Sequence, residues 1–214
     1  MSYSVAAFPT LSTLLAKNKL VEFNRQLLTA LRHIIFWSIP IGALVIVLRA
    51  QIVRVLLGSG AFDWNDTRLT AAVLGLFVLS LVAQSILLLL VRAFYAGGRT
   101  LLPLAVAVVS SAASIGLAYS LLASFAENDT LKNALEQVFR LEGVSGIEVL
   151  VLALAFVLGQ FLQLFLLMII SVYVFNISYR PLIRLLAEAL LAAVAGGFSA
   201  YAALIFVVDG INQD

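Results

Sequence analysis

The chain has 214 residues, 63% of them hydrophobic and 11% charged, and its mean hydropathy is +1.11. Soluble domains are about 45–50% apolar and about 25% charged, so this composition excludes a water-soluble globule. The chain contains no cysteine and a single histidine, which leaves no disulfide framework, no thiolate site and no His-rich metal cluster, and its formal net charge of +2 gives no reason to expect nucleic acid as a partner.

Residues 1–16 read as the last turns of an apolar helix (VAAFPTLSTLLA, Val5–Ala16) that has no beginning. No basic residue precedes the apolar run, so it does not read as a convincing signal peptide. Residues 17–33 are polar and helix-prone, with Leu20, Phe23, Leu27, Leu28 and Leu31 recurring at three to four residues. That spacing predicts a cytoplasmic amphipathic segment on the membrane surface. An extension of the following span fits the same spacing.

A membrane domain is predicted over residues 34–208, with five spans near 34–57, 70–95, 102–125, 147–175 and 182–208. Each is of the order of the ~20 apolar residues that cross a bilayer. The first contains Pro40, and Arg49 and Arg54 occupy its second half, which is predicted to continue into the interface where arginines snorkel. The spans must be helices. Lipid leaves backbone polar groups no water, and stretches such as Leu150–Gly159 lack the alternation of barrel strands. The fold class is therefore an all-α integral membrane protein, with about five transmembrane helices and the end of a sixth.

The links carry their own signals. Gly58–Asp66 is turn-rich, and Asn65 or Asp66 is placed to cap the second span. The link Ala96–Leu102 is tight and leads to Pro103. The link Ala126–Gly146 is the longest, and its middle, Thr130–Leu141, is suited to a short amphipathic surface helix. Arg180-Pro181 breaks the chain before the last span. One face of the membrane collects Lys17, Lys19, Arg25, Arg32, Arg92, Arg99, Arg180 and Arg184 with only Glu22 and Glu188. The other face collects five basic residues and nine acidic ones. The basic face is expected in the cytoplasm. The amino terminus is then inside, and residues 209–214 form a short tail outside.

No phosphate-binding GxxxxGK[ST] and no GxSxG occurs, so nothing points to an enzyme, a cofactor or a metal. Intramembrane polar residues are sparse. Gln84 and Ser85 are candidates to line a cavity or to bond within the helix packing. Gln160 and Gln163 share a helix face, and Glu188 is placed to pair with Arg184. Small residues cluster at Ser110–Ser114 with Gly116, and at Ala195–Gly197 with Ser199, as close helix packing requires.

From Phe8 to Pro103 the chain resembles the MurJ/MviN family of lipid II flippases, within the wider MOP exporter superfamily. The resemblance is carried by FPTLS (Phe8–Ser12), by a basic segment with Phe23 and Leu31-Arg32, and by a Pro-containing span. It continues in GSGAFDWNDTRLTAAVLGLFVLSL (Gly58–Leu81) and is most specific in LLVRAFYAGGRTLLP (Leu89–Pro103). Two departures stand out. Arg99-Thr100 replaces an Asp-Thr usual in the family, and the family's amino-terminal lobe, with the arginines expected to hold the substrate diphosphate, has no counterpart in this sequence. The resemblance implies the carboxyl-terminal portion of a two-lobed transporter, its first residues matching the end of the eighth family helix and its spans the ninth through thirteenth.

By the same resemblance, the function is part of a flippase for the lipid-linked peptidoglycan precursor in the bacterial inner membrane. Arg92, Tyr95 and Arg99 are the expected head-group contacts. The partners implied are membrane lipids, the undecaprenyl-linked precursor, and an amino-terminal lobe or partner chain. Two other readings stand beside it: a small membrane scaffold or assembly subunit without transport, and a flippase for a related polysaccharide precursor.

Overall fold

The computed structural model describes residues 2–58, 62–127, 129–139, 141, 144 and 146–211. Among these, the regular structure is entirely helical: α1 (Ser2–Ala16), α2 (Leu20–Leu57), α3 (Trp64–Ala96), α4 (Leu101–Glu127), α5 (Asp129–Phe139), α6 (Glu148–Phe175) and α7 (Arg180–Ile211). Five of them (α2, α3, α4, α6 and α7) are long and apolar enough to cross a membrane. This is an all-α, multi-pass membrane protein.

The polar segment at residues 17–33 and the first apolar run belong to one helix. α2 continues from Leu20 through Pro40 to Leu57 without interruption. Its amphipathic start is buried where the spacing places apolar residues, at Phe23, Leu27 and Leu31, against the rest of the bundle. The cap of α3 falls earlier than Asn65 or Asp66. Asp63 is the N-cap: its carboxylate accepts from the Asp66 amide at 2.9 Å, and the Asp66 carboxylate accepts from the Asp63 amide at 3.1 Å. Both residues have spare acceptors, and the reciprocal pair satisfies donors that a helix start leaves open.

The spans pack in the order α4, α6, α3, α2, α7, with α1 lying on α2 and α3. The α4–α6 seam closes on small residues. A Cβ added at Gly159 would stand 2.6 Å from the Ser114 Cβ, and the Ser114 hydroxyl donates to the Ala155 carbonyl at 3.0 Å. Backbones approach this closely only where one side chain is absent. The Ser110 and Ser114 side of the small-residue cluster thus faces α6, while Ser111, Ala112 and Ala113 are exposed. One apolar cluster joins α1, α2, α3, α6 and the start of α7. A second joins α3 and α6 to Leu141, Val144 and Ile147, beyond the short surface helix α5.

Candidate functional site

The links 17–19, 97–100 and 176–179 share one end of the bundle, which is also where the eight basic residues of one face gather. Each of these turns needs a residue in the left-handed region. Asn18 (φ 55°), Gly98 (φ 67°) and Asn176 (φ 54°) supply it. At α3 the Gly98 amide donates to Tyr95 O at 3.0 Å and the Arg99 amide to Phe94 O at 3.0 Å. At α1 the Asn18 and Lys19 amides bond Leu15 O and Leu14 O in the same pattern. These are Schellman closures, favoured by glycine and asparagine. They satisfy helix-end carbonyls and reverse the chain within three or four residues.

Beneath the turns lies an aromatic plug. Phe175 at the end of α6 packs on Phe23 of α2 and Phe94 of α3, with ring centroids 5.0 and 5.1 Å apart. Asn24 donates to the Phe175 carbonyl at 2.9 Å, and so holds the last turn of α6 against α2. The two carboxylates at this end are already paired. Lys19 meets Glu22 at 2.8 Å, and Arg184 meets Glu188 at 2.9 Å, the pairing expected from their spacing.

Arg92, Tyr95 and Arg99 all lie at this end. Arg92 and Tyr95 share one face of the last turns of α3, and Ser85 sits two turns before Arg92 on the same face. Arg99 is exposed just past the helix, where the negative end of the helix dipole favours a cation. Tyr95 is exposed as well. Arg92 is partly buried, and its Nη1 is sealed from solvent with no acceptor among the described residues. A guanidinium nitrogen in that state calls for an anion. Gln84 and Ser85 bond locally: Gln84 Nε2 reaches Ser80 Oγ at 3.4 Å, and the Ser85 hydroxyl donates to Leu81 O at 2.8 Å.

The structure also contains a feature that the apolar periodicity did not show, a slot of about 930 Å³ between α7 and α6, floored by α2 and α3. Ile39, Ile46, Val82, Leu164, Leu186 and Phe198 are among its walls, and Gln84 and Ser85 are not. At its basic end stands Tyr179, whose hydroxyl shares a hydrogen bond of 2.5 Å with that of buried Ser171. Burial raises the Tyr179 pKa above the ordinary tyrosine value, and the Ser171 bond offsets part of that rise. Every residue type lining the slot also suits a lipid-facing surface, so sequence alone does not separate the two.

Among the described residues, no group of His, Cys, Asp and Glu is placed to hold a metal. Neither a curated protein nor a solved structure matches the chain. The sequence model for lipid II flippase MurJ matches residues 1–129, from α1 to the start of α5. That match covers more than half of the chain and includes the FPTLS, capping-box and FYAGG segments that set the first turns of the fold, and the chain belongs to the MurJ family of lipid II flippases.

Proposed function

We propose that this chain forms one wall of the transport cavity of a lipid II flippase in the bacterial inner membrane. It moves the undecaprenyl-linked peptidoglycan precursor from the inner to the outer leaflet. The basic end faces the cytoplasm, as the distribution of lysine and arginine favours. Arg92, Tyr95 and Arg99 meet the precursor's head group there, and an opposing helical lobe supplies the other wall.

The observation that carries this reading is Arg92. Its Nη1, sealed and without an acceptor among the described residues, lies inside the segment most specific to the family, one turn before the basic end of α3. A diphosphate supplies the planar oxygen pair that a guanidinium binds through two hydrogen bonds. Alternating access between two lobes then carries the head group across.

The test is lipid II movement by the full-length protein in proteoliposomes, followed by access of an external reagent to the head group. Arg92→Gln is expected to slow movement at least about tenfold, the worth of a charge-assisted hydrogen bond. Arg99→Gln has a smaller effect, because Arg99 is open to water. Unchanged rates in both variants, in protein that unfolds at the same denaturant concentration, would refute the assignment.

A further inference from the structure

We infer that Arg49 is an anion-binding station inside the membrane, at the opposite end of the slot from Tyr179, and that it holds the phosphate of an anionic lipid. The inference builds on the flippase reading, since it places a second phosphate contact in the leaflet away from the basic end.

The first observation is depth. The Arg49 guanidinium packs on α3 at Gly75, where an added Cβ would lie 3.1 Å from Nη1 and 3.4 Å from Cδ. Gly75 is eleven residues beyond the start of α3 at Trp64, about 16 Å along the axis. α3 has 33 residues and is about 50 Å long, so a hydrocarbon layer of about 30 Å centred on it begins about 10 Å from its end. The Arg49 head group therefore lies several ångströms inside the hydrocarbon and does not reach up to the interface. The cause is direction. Helical side chains lean toward the helix N-terminus, and for Arg49 that leads into the membrane. Arg54, one turn nearer the end of α2, instead stacks over the Trp64 ring at 5.3 Å.

The second observation is the lack of a counter-charge among the described residues. Arg49 makes no hydrogen bond and no ion pair with any described residue. An arginine at this depth is costly unless something pairs with it, and it marks a functional site by default. The third is continuity with the slot. Ile46 and Gly42 line the slot from α2, and Arg49 is three and seven residues further along the same face. Val78 and Leu79 line it from α3, and Gly75 is one turn before them. The missing side chain at Gly75 is what lets the guanidinium settle between the two helices. An apolar slot with a cation about one turn beyond its lining, unpaired among the described residues, matches one ligand class, a lipid with its chain in the slot and its phosphate on the arginine.

The probe is dioleoyl phosphatidic acid against dioleoyl phosphatidylcholine, offered in equal amounts to the full-length protein in mixed micelles. Retained lipid is counted by native mass spectrometry. Wild type is expected to prefer phosphatidic acid by about tenfold. Arg49→Gln removes the preference, and Gly75→Val weakens it by displacing a guanidinium that is still present. Arg184→Gln, which is exposed at the other end, leaves it intact. Equal preference in wild type, Arg49→Gln and Gly75→Val overturns the site. Competition by free pyrophosphate as effective as that by phosphatidic acid overturns the lipid assignment. Neither readout needs lipid II or flipping, so unchanged flipping rates in Arg92→Gln and Arg99→Gln would sink the proposed function and leave this inference standing.

Discussion

The α4–α6 seam and the α6–α7 slot are made of equally apolar helices, yet one is shut and the other open. α6 and α7 are consecutive and joined by only four residues, the arrangement that normally gives packed neighbours. They splay all the same, with Phe161, Leu164 and Met168 facing Leu186, Leu190 and Val194 across the slot. α4 and α6 are separated in sequence by α5 and its flanking links, yet Ser114 seats directly on Gly159. Lipid is as apolar as leucine, so hydrophobicity gives two helices no reason to prefer each other over the bilayer. A glycine and a backbone-directed hydroxyl close the α4–α6 seam, whereas large apolar side chains face each other across the slot.

The strongest way to break this contrast is Phe175→Ala. Phe175 is 4% exposed and fixes the root of the slot on Phe23 and Phe94. Its loss is expected to cost about 3 kcal/mol, at the low end for a buried phenylalanine. Detergent-titrated unfolding of the full-length protein would read the loss, and an unchanged midpoint would deny Phe175 this anchoring role. Gly159→Ala attacks the shut seam. The Ser114 Cβ, 2.6 Å from the new methyl, cannot swing away, so the helices must separate at a cost of about 2 kcal/mol. The same substitution at Gly116, which has open space around it, is expected to be neutral. Equal effects at both glycines would mean that the seam is not the determinant.

The contrast also explains what the sequence made legible. Span number and helical class follow from composition and length, because lipid permits so few alternatives. The turns were readable where a residue type has a single use, as in the tight link after FYA that Gly98 closes. The cap of α3 was misplaced to Asn65 or Asp66, because four consecutive positions (Asp63 to Asp66) hold three capping residues and only geometry chooses among them. Arg49 read as an interfacial snorkeller, since its neighbours are polar enough to end a span. Its side chain leans toward the start of α2, into the membrane, and Gly75, a residue on another helix, makes the room for it there. The slot has no local signature at all, being the shape left between four helices whose relative placement is set elsewhere.

Smaller effects sharpen the picture at the two ends of the bundle. Asp63→Ala removes one half of the capping box and is expected to cost about 1 kcal/mol. The slot lies on other parts of α2 and α3 and should keep its lipid preference, as native mass spectrometry would show.

Tyr179→Phe is expected to matter least at neutral pH, about 0.6 kcal/mol for one side-chain hydrogen bond in a membrane protein. Its signature is in the pH dependence. Burial raises the folded-state pKa of Tyr179 above the unfolded value, so the unfolded chain loses this proton first. The contribution is complete below the ordinary tyrosine pKa of about 10 and is lost as pH climbs through the folded value. Unfolding midpoints of wild type should therefore fall more steeply than those of Tyr179→Phe above about pH 10, while the two curves run parallel below it. Parallel curves throughout would mean that water reaches the Tyr179 hydroxyl, and that the basic end of the slot is wet rather than sealed by the Tyr179–Ser171 pair.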